Sequence, residues 1–572
     1  MRAVIVFCVI SLSLVAARNQ GNEEPKENII DFSLYQIYPR SFKDSDGDGV
    51  GDLKGILSKL DHLVESNIDA FWISPINPSP MVDFGYDISN FRDIEPVFGT
   101  LKDFEDLLQA AHNMSLKVFM DLVPNHSSDK HEWFQKSLKN IEPYSDYYIW
   151  HKGSVLKNGT VVRPNNWVSV FGGPAWTWRE ERQAYYFHQF APEQPDLNYN
   201  NKKVVQEMKN IIRFWLEKGV DGFRVDAVPH LCEDERLLDE PLTGTTKDPN
   251  NYGYTEKIYT THLPRTYEMV LGWRQVLDEF PQPKFMMIEA YANVSMTMKY
   301  YRYGAHYPFN FGLITDVDKD SKASDFKNVI DTWMTNMPDG ATANWVAGNH
   351  DKQRLATRFG TKRARAITLM TLLLPGVGVT YNGDEIGMID TRISWEETRD
   401  PQGCNAGNPG FETSSRDPAR TPFQWDNTTS AGFSTNPKTW LRVNENYRAV
   451  NLAAEKEDKN SYYSFYKAIS GLKKSQYFKR AKLTTKLLNQ NVLAISRETK
   501  SRGSVYAVMN FGDKKEKVDL SSFDNISNQL YLYYSTEHTD LRPGDVVSNI
   551  TSVEIPESGC MVLITPNDML VA

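Results

Sequence analysis

The chain has 572 residues, of which 40% are hydrophobic and 24% charged, and a formal net charge of −9. That length asks for more than one domain, and the apolar content excludes a disordered or fibrous protein. The acidic balance argues against nucleic acid or an anionic membrane as the main partner.

In chain order, residues 1–17, MRAVIVFCVISLSLVAA, place Arg2 before an apolar run that ends in Val15-Ala16-Ala17. This is the pattern of a cleaved secretory leader, and the run is short for a membrane span. No second stretch is long and apolar enough to cross a bilayer, and the C-terminal TPNDMLVA lacks the tail of a lipid-anchor signal. The expected mature protein is secreted and extracellular, with no membrane span. Sequons at Asn113, Asn158, Asn293, Asn427, Asn525 and Asn549 are the expected glycosylation sites. Asn125 also heads a sequon but lies inside a motif that sets it apart. Once Cys8 is assigned to the leader, Cys232, Cys404 and Cys560 remain, an odd count that allows one disulfide at most.

The next distinctive stretch, DSDGDGVGD (44–52), sets Asp44, Asp46, Asp48 and Asp52 around glycines. Oxygen donors at alternating positions on a glycine turn suit Ca²⁺. The stretch begins like an EF-hand loop but has Gly55 where that motif needs a glutamate.

From about Leu34 to Leu374 short apolar runs alternate with amphipathic stretches. DAFWIS, LKVFMDLV, DGFRVDAV, KFMMIEAY and NWVAGNHD read as strands, while LKGILSKLDHLVES, LKDFEDLLQAAHN, KKVVQEMKNIIRFWLEK and KRARAITLMTLLL read as helices. The alternation predicts an α/β fold, a (β/α)8 TIM barrel. Its first part is expected over 31–123 and the remainder over 201–482. Residues 124–200, rich in Trp, Tyr, Asn, Gly and Pro, read as an irregular subdomain inserted after the third strand. A second irregular stretch is expected near 390–436. Short β-type runs over 483–572 predict a C-terminal all-β sandwich domain.

Four apolar strands close on a carboxylate: Asp121, Asp226, Glu289 and Asp351. Strand C-termini of a barrel converge on one face, so residues 230 positions apart can share a pocket. Arg224 and Asp226 sit two apart and face the same way along a strand, so the arginine is expected to keep the aspartate charged. Paired carboxylates without a Cys/His ligand pattern point to glycoside hydrolysis rather than zinc chemistry.

The motifs DLVPNH (121–126), GFRVDAVPH (222–230), IEAY (288–291) and VAGNHD (346–351) resemble the α-amylase superfamily, glycoside hydrolase family 13. QPDLN (194–198) is similar to a motif of its oligo-1,6-glucosidase and maltase branch, and the chain resembles insect α-glucosidases of the bee and mosquito type. The resemblance implies Asp226 as nucleophile, Glu289 as general acid/base and Asp351 as the third carboxylate. It implies His126, Arg224 and His350 as contacts of the reacting glucose, with Phe171 and Phe190 as aromatic walls. Asp87, beside Tyr86, would read the terminal glucose together with Arg416 of RDPAR, supported by Arg420. Ala227, smaller than the valine that accompanies α-1,6 activity, implies α-1,4 preference. The resemblance also implies a structural Ca²⁺ held by Asp44, Asp46, Asp48, the Val50 carbonyl and Asp52, and no cofactor for the chemistry.

The resulting expectation is a retaining, exo-acting α-glucosidase that cleaves terminal glucose from maltose, sucrose and short oligosaccharides. Two other readings stay open: a transglucosylase or sucrose isomerase using the same intermediate, and a non-catalytic relative that serves as a transporter subunit.

Overall fold

The computed structural model describes residues 31–475, 478, 481–499, 503–524, 526–536 and 541–565. The expected leader and the sequon at Asn525 lie outside them. Eight strands form one parallel sheet: β1 (Phe32–Ile37), β2 (Ala70–Ile73), β3 (Lys117–Leu122), β4 (Gly222–Val225), β5 (Phe285–Ile288), β6 (Tyr307–Pro308), β7 (Asn344–Val346) and β8 (Val377–Tyr381). They pair in the order β6-β5-β4-β3-β2-β1-β8-β7, the cyclic order of a (β/α)8 barrel. Backbone pairing runs unbroken from β6 round to β7. Across the remaining gap a side chain serves: Asn344 Oδ1 accepts from the Asn310 amide at 2.7 Å, and its Nδ2 donates to the Pro308 carbonyl.

Strand parity explains how charges enter this core. Leu34, Trp72, Phe119, Met287, Val346 and Val379 pack together inside the barrel. Side chains alternate faces, so two residues beyond Phe119 and Met287 the same inward direction carries Asp121 and Glu289. Arg224 lies directly across from Asp121 in the β3–β4 ladder and across from Met287 in the β4–β5 ladder. The strands are buried on both faces, which is why they read as continuous apolar runs.

Helices cover the barrel with the faces their periodicity predicts. Leu101–Asn113 starts in a capping box between Thr100 and Asp103 and buries Phe104, Leu107, Leu108 and Ala111. Lys202–Glu217, capped by Asn201, buries Val204, Met208, Ile211, Ile212 and Trp215. One expected helix is two: Leu53–Leu57 and Leu60–Glu65 are separated where Lys59 leaves helical geometry at φ −122°, ψ 12°.

The inserted interval holds more order than its composition implies. Trp150–His151, Trp176–Arg179 and Ala184–Phe187 form a three-stranded antiparallel sheet, whose Trp176 and Phe187 cluster with Trp167 and Ala175. The stretch near 390–436 contains a kinked helix, Pro401–Ser414, opened by Asp400 and Pro401 and broken at Gly407 and Asn408. Toward the C-terminus, β9 (Lys482–Leu487), β10 (Val492–Thr499), β11 (Gly503–Asn510), β13 (Leu530–Ser535), β14 (Val546–Val547) and β16 (Cys560–Ile564) form an antiparallel sheet, and β12 (Glu516–Val518) pairs with β15 (Val553–Ile555). Period two is clean here: Leu493 and Ile495 join the core that the barrel's covering helices share, while Val492 and Ala494 face a separate one.

No helix among the described residues is long and apolar enough to cross a membrane. Asn113, Asn158, Asn293, Asn427 and Asn549 are exposed, and Asn125 is buried. Cys232, Cys404 and Cys560 are all free thiols.

Candidate active site

At the C-terminal mouth of the barrel a cavity of about 530 Å³ is lined by Asp226, Glu289 and Asp351, together with Tyr86, His126, Phe171, Phe190, Ala227, His350 and Arg416. Asp226 directly follows β4, its amide bonded to the Leu122 carbonyl at 2.8 Å; Glu289 directly follows β5, its amide bonded to the Val225 carbonyl at 3.0 Å. The parallel ladders therefore fix both carboxylates relative to each other.

Arg224 organises them. Its Nη1 lies 2.6 Å from Asp226 Oδ1 and 2.9 Å from Asp121 Oδ1, and its Nη2 lies 2.9 Å from Glu289 Oε2. Glu289 Oε2 also accepts from the Ala227 amide at 2.9 Å, an amide turned inward because Ala227 adopts φ 48°, ψ 32°. This differs from the expectation in two respects: the guanidinium does not belong to Asp226 alone, and it does not by itself hold the Asp226 carboxyl down. Burial raises the Asp226 carboxyl well above its ordinary value, Arg224 opposes that, and the neighbouring Glu289 and Asp121 add to it. Burial likewise lifts Asp121, to about 7, against the pull of Arg224. One guanidinium facing three buried carboxylates favours keeping a proton in the cluster.

Asp351 is treated differently. Arg420 Nη2 reaches its Oδ1 at 3.0 Å and Arg416 Nη1 at 3.2 Å. Burial would raise its pKa, but His350, Arg416 and Arg420 outweigh burial and hold it well below the carboxylate range. His350 is itself kept neutral by burial, so the two guanidiniums carry the effect. His350 is wedged between rings, 5.4 Å from Tyr86 and 5.5 Å from Tyr38, and its Nε2 meets the Tyr86 hydroxyl at 2.7 Å. His126, held neutral by burial at about 4, contacts the Tyr86 carbonyl at 3.1 Å and packs on Phe190 at 5.0 Å. Phe171 meets Phe190 edge-on at 5.6 Å, and the Arg416 guanidinium lies 5.1 Å from the Phe171 ring.

The pairing of Asp87 with Arg416 does not occur. Asp87 is fully buried, and its carboxylate accepts from Ser79 Oγ at 2.8 Å, the Val82 amide at 2.9 Å and the Asp83 amide at 3.0 Å. It shapes the turn instead. Asp83 is the residue that lines the cavity and meets Arg416 Nη2 at 2.7 Å. Arg416 is further bound by Asp400, at 3.0 Å from its Nε and 2.5 Å from its Nη2. Burial works against the charge of Arg416, but Asp400 and Asp83 more than offset it. The sequence reading also missed Asp121 as a ligand of Arg224, and Gln194 of QPDLN, which donates to Asp83 at 3.3 Å and meets His126 at 3.1 Å. The strand-end position of Asp121 was the available signal; Asp83 had none stronger than its place three residues before Tyr86.

At the 44–52 loop, carboxylate oxygens of Asp44, Asp46 and Asp48 lie within 4.8 Å of one another. Three hard anionic donors so close fit a hard cation, and Asp46 and Asp44 help burial raise the pKa of Asp48. Asp52 does not join this cluster. It accepts from the Ser45 amide at 2.7 Å and the Gly55 amide at 2.8 Å, capping helix Leu53–Leu57.

The family description "Alpha amylase, catalytic domain" matches residues 36–481. An alpha-glucosidase of Apis mellifera is 60% identical over 99% of both chains. Maltase 1 of Drosophila virilis is 48% identical over 92% of this chain and 86% of its own. The crystal structure of an alpha-glucosyl transfer enzyme, XgtA, superposes with a TM-score of 0.82 at 32% identity, covering 93% of this chain and 98% of the other. With barrel, carboxylate cluster and these likenesses in agreement, the chain belongs to the α-amylase superfamily, glycoside hydrolase family 13.

Proposed function

We propose that the chain is a secreted α-glucosidase that removes terminal glucose from maltose, sucrose and short oligosaccharides with retention of configuration. The observation that carries this reading is Arg224 joining Asp226 and Glu289 at one cavity while Arg416, tied to Asp83, Asp400 and Asp351, obstructs one side of it. Arg224 engages Asp226 through Oδ1 only, leaving Oδ2 for attack on the anomeric carbon. Both contacts of Glu289 fall on Oε2, leaving Oε1 to protonate the departing oxygen. Water then attacks the glucosyl ester, Glu289 takes its proton, and α-glucose leaves. Arg416 and its carboxylates fill the space a longer chain would need beyond the terminal glucose, which supports exo action. The leader-like residues 1–17 and the exposed sequons support secretion and glycosylation.

Initial rates on maltose, sucrose, isomaltose and starch test the reading. Expected are fast cleavage of maltose or sucrose and poor cleavage of isomaltose and starch, in keeping with Ala227. Rapid internal cleavage of starch would remove the exo assignment, and inertness of folded protein on all four would leave the transporter-subunit reading. Dominant sugar transfer at low substrate concentration would favour the transglucosylase.

A structural Ca²⁺ belongs to the same proposal. Asp44, Asp46 and Asp48, with the Val50 carbonyl, would hold it and supply charge neutralisation to a loop whose Asp44 amide is bonded to the Phe433 carbonyl at 3.0 Å. Elemental analysis should find calcium at one equivalent, and chelation should lower Tm, by about 2.7 kcal/mol of stability if the ion is present at a hundred times its Kd. An Asp46→Asn, Asp48→Asn double variant should lose this chelator sensitivity. A chelator-insensitive melt of wild type, with no bound calcium, would sink the site.

A further inference from the structure

The cavity wall draws on two sources. Arg416 and its ion lattice form one part, and Tyr252, Lys257, Thr261 and His262, all from a single segment between β4 and helix Pro264–Leu277, form another. That segment contains two short turns of helix, Val228–His230 and Tyr252–Tyr254, and an isolated bridge between Leu242 and Thr255, so most of its shape needs another source.

Glu240 supplies it. Its buried carboxylate accepts from Thr255 Oγ1 at 2.8 Å and Thr260 Oγ1 at 2.7 Å, and lies 3.6 Å from Lys257 Nζ. Its backbone is fastened to the inserted interval: the Glu240 amide donates to Asn166 Oδ1 at 2.8 Å, and Asn166 Nδ2 donates to the Glu240 carbonyl at 2.9 Å. A buried carboxylate is tolerated only when paired and hydrogen-bonded, and here its partners bracket the stretch that carries Lys257. Lys257 Nζ also donates to Thr255 Oγ1 at 2.6 Å and stands 4.3 Å from the Tyr252 ring centroid. Ring and ammonium thus form one fixed unit at the wall of the cavity.

We propose that Tyr252 and Lys257, held by Glu240, are the platform that receives the departing sugar and then any acceptor sugar, and so set how well sugars compete with water. This rests on the glycosidase reading above. The glucosyl ester at Asp226 is broken by the oxygen of water or of a sugar hydroxyl. In either case Glu289 takes that oxygen's proton and Asp226 regains its carboxylate. Only the occupant of the platform differs.

The test compares wild type with Tyr252→Ala and Lys257→Met on maltose and on α-D-glucosyl fluoride, whose leaving group occupies no sugar subsite. Expected is a fall in kcat/KM at least fivefold larger for maltose than for the fluoride, together with a lower ratio of transfer products to free glucose at high maltose. Glu240→Ala should move both ratios the same way without touching sugar. Equal losses on both substrates, or an unchanged transfer ratio, overturn the proposal. Wild type inert on both substrates would remove the glycosidase reading and this inference with it.

Discussion

Asp226→Asn and Glu289→Gln should each lower kcat for maltose by about 10⁴-fold or more, with melting temperatures at or above that of wild type. The first removes the attacking oxygen's charge, the second the transferable proton, and each is nearly isosteric. Stability should hold because Arg224 serves three carboxylates. Neutralising one relieves mutual repulsion while the guanidinium keeps two partners, so breaking the cluster differs from breaking a simple pair. Residual turnover within tenfold of wild type in either folded variant would overturn the roles assigned to these residues. Following the anomer released by the wild type settles the stereochemistry independently: α-glucose first means two displacements, β-glucose one.

Asp83→Ala is expected to lower kcat/KM for maltose by about 100-fold or more, a loss of roughly 2.7 kcal/mol. It removes a buried acceptor from the cavity wall and frees one partner of Arg416. Asp87→Ala, only four positions away, should act mainly on Tm, because its carboxylate bonds to Ser79, Val82 and Asp83 and not to the cavity. Measuring both variants side by side separates recognition from turn geometry. If Asp87→Ala proves the more damaging to kcat/KM at unchanged Tm, the assignment reverts to Asp87.

Why Asp87 misleads is instructive. From sequence, DFGYDIS offers two aspartates near Tyr86, Asp83 and Asp87. Which of them faces the cavity depends on a turn in which Phe84 and Gly85 both take positive φ, 45° and 109°, and no periodicity encodes that. Strand-borne residues were easier. Asp226, Glu289 and Arg224 stand out because a charge within an apolar run has few structural explanations and alternation dictates its direction. Asp121 satisfies the same test, but its service to Arg224 depends on the register of β3 against β4, a long-range fact. Asp400 and Gln194 lie in stretches without regular pattern, where tertiary packing alone decides. The same holds for the fold. Long amphipathic helices were readable to within a residue or so, whereas β6 has two residues and β12 three, too short for any pattern to register.

The gap between β6 and β7, spanned by the Asn344 side chain, has a bearing on how the site is held. Glu289 follows β5 and Asp351 lies beyond β7, so the slit falls on the short arc between them, with β6 on the Glu289 side. On the long way round, continuous backbone pairing sets their separation; on the short way side chains do, the Asn344 amide at the slit and the Asn349 amide, which donates to the Tyr291 hydroxyl at 2.9 Å. The arc between Glu289 and Asp351 is therefore the place where the ring can widen without any strand unpairing.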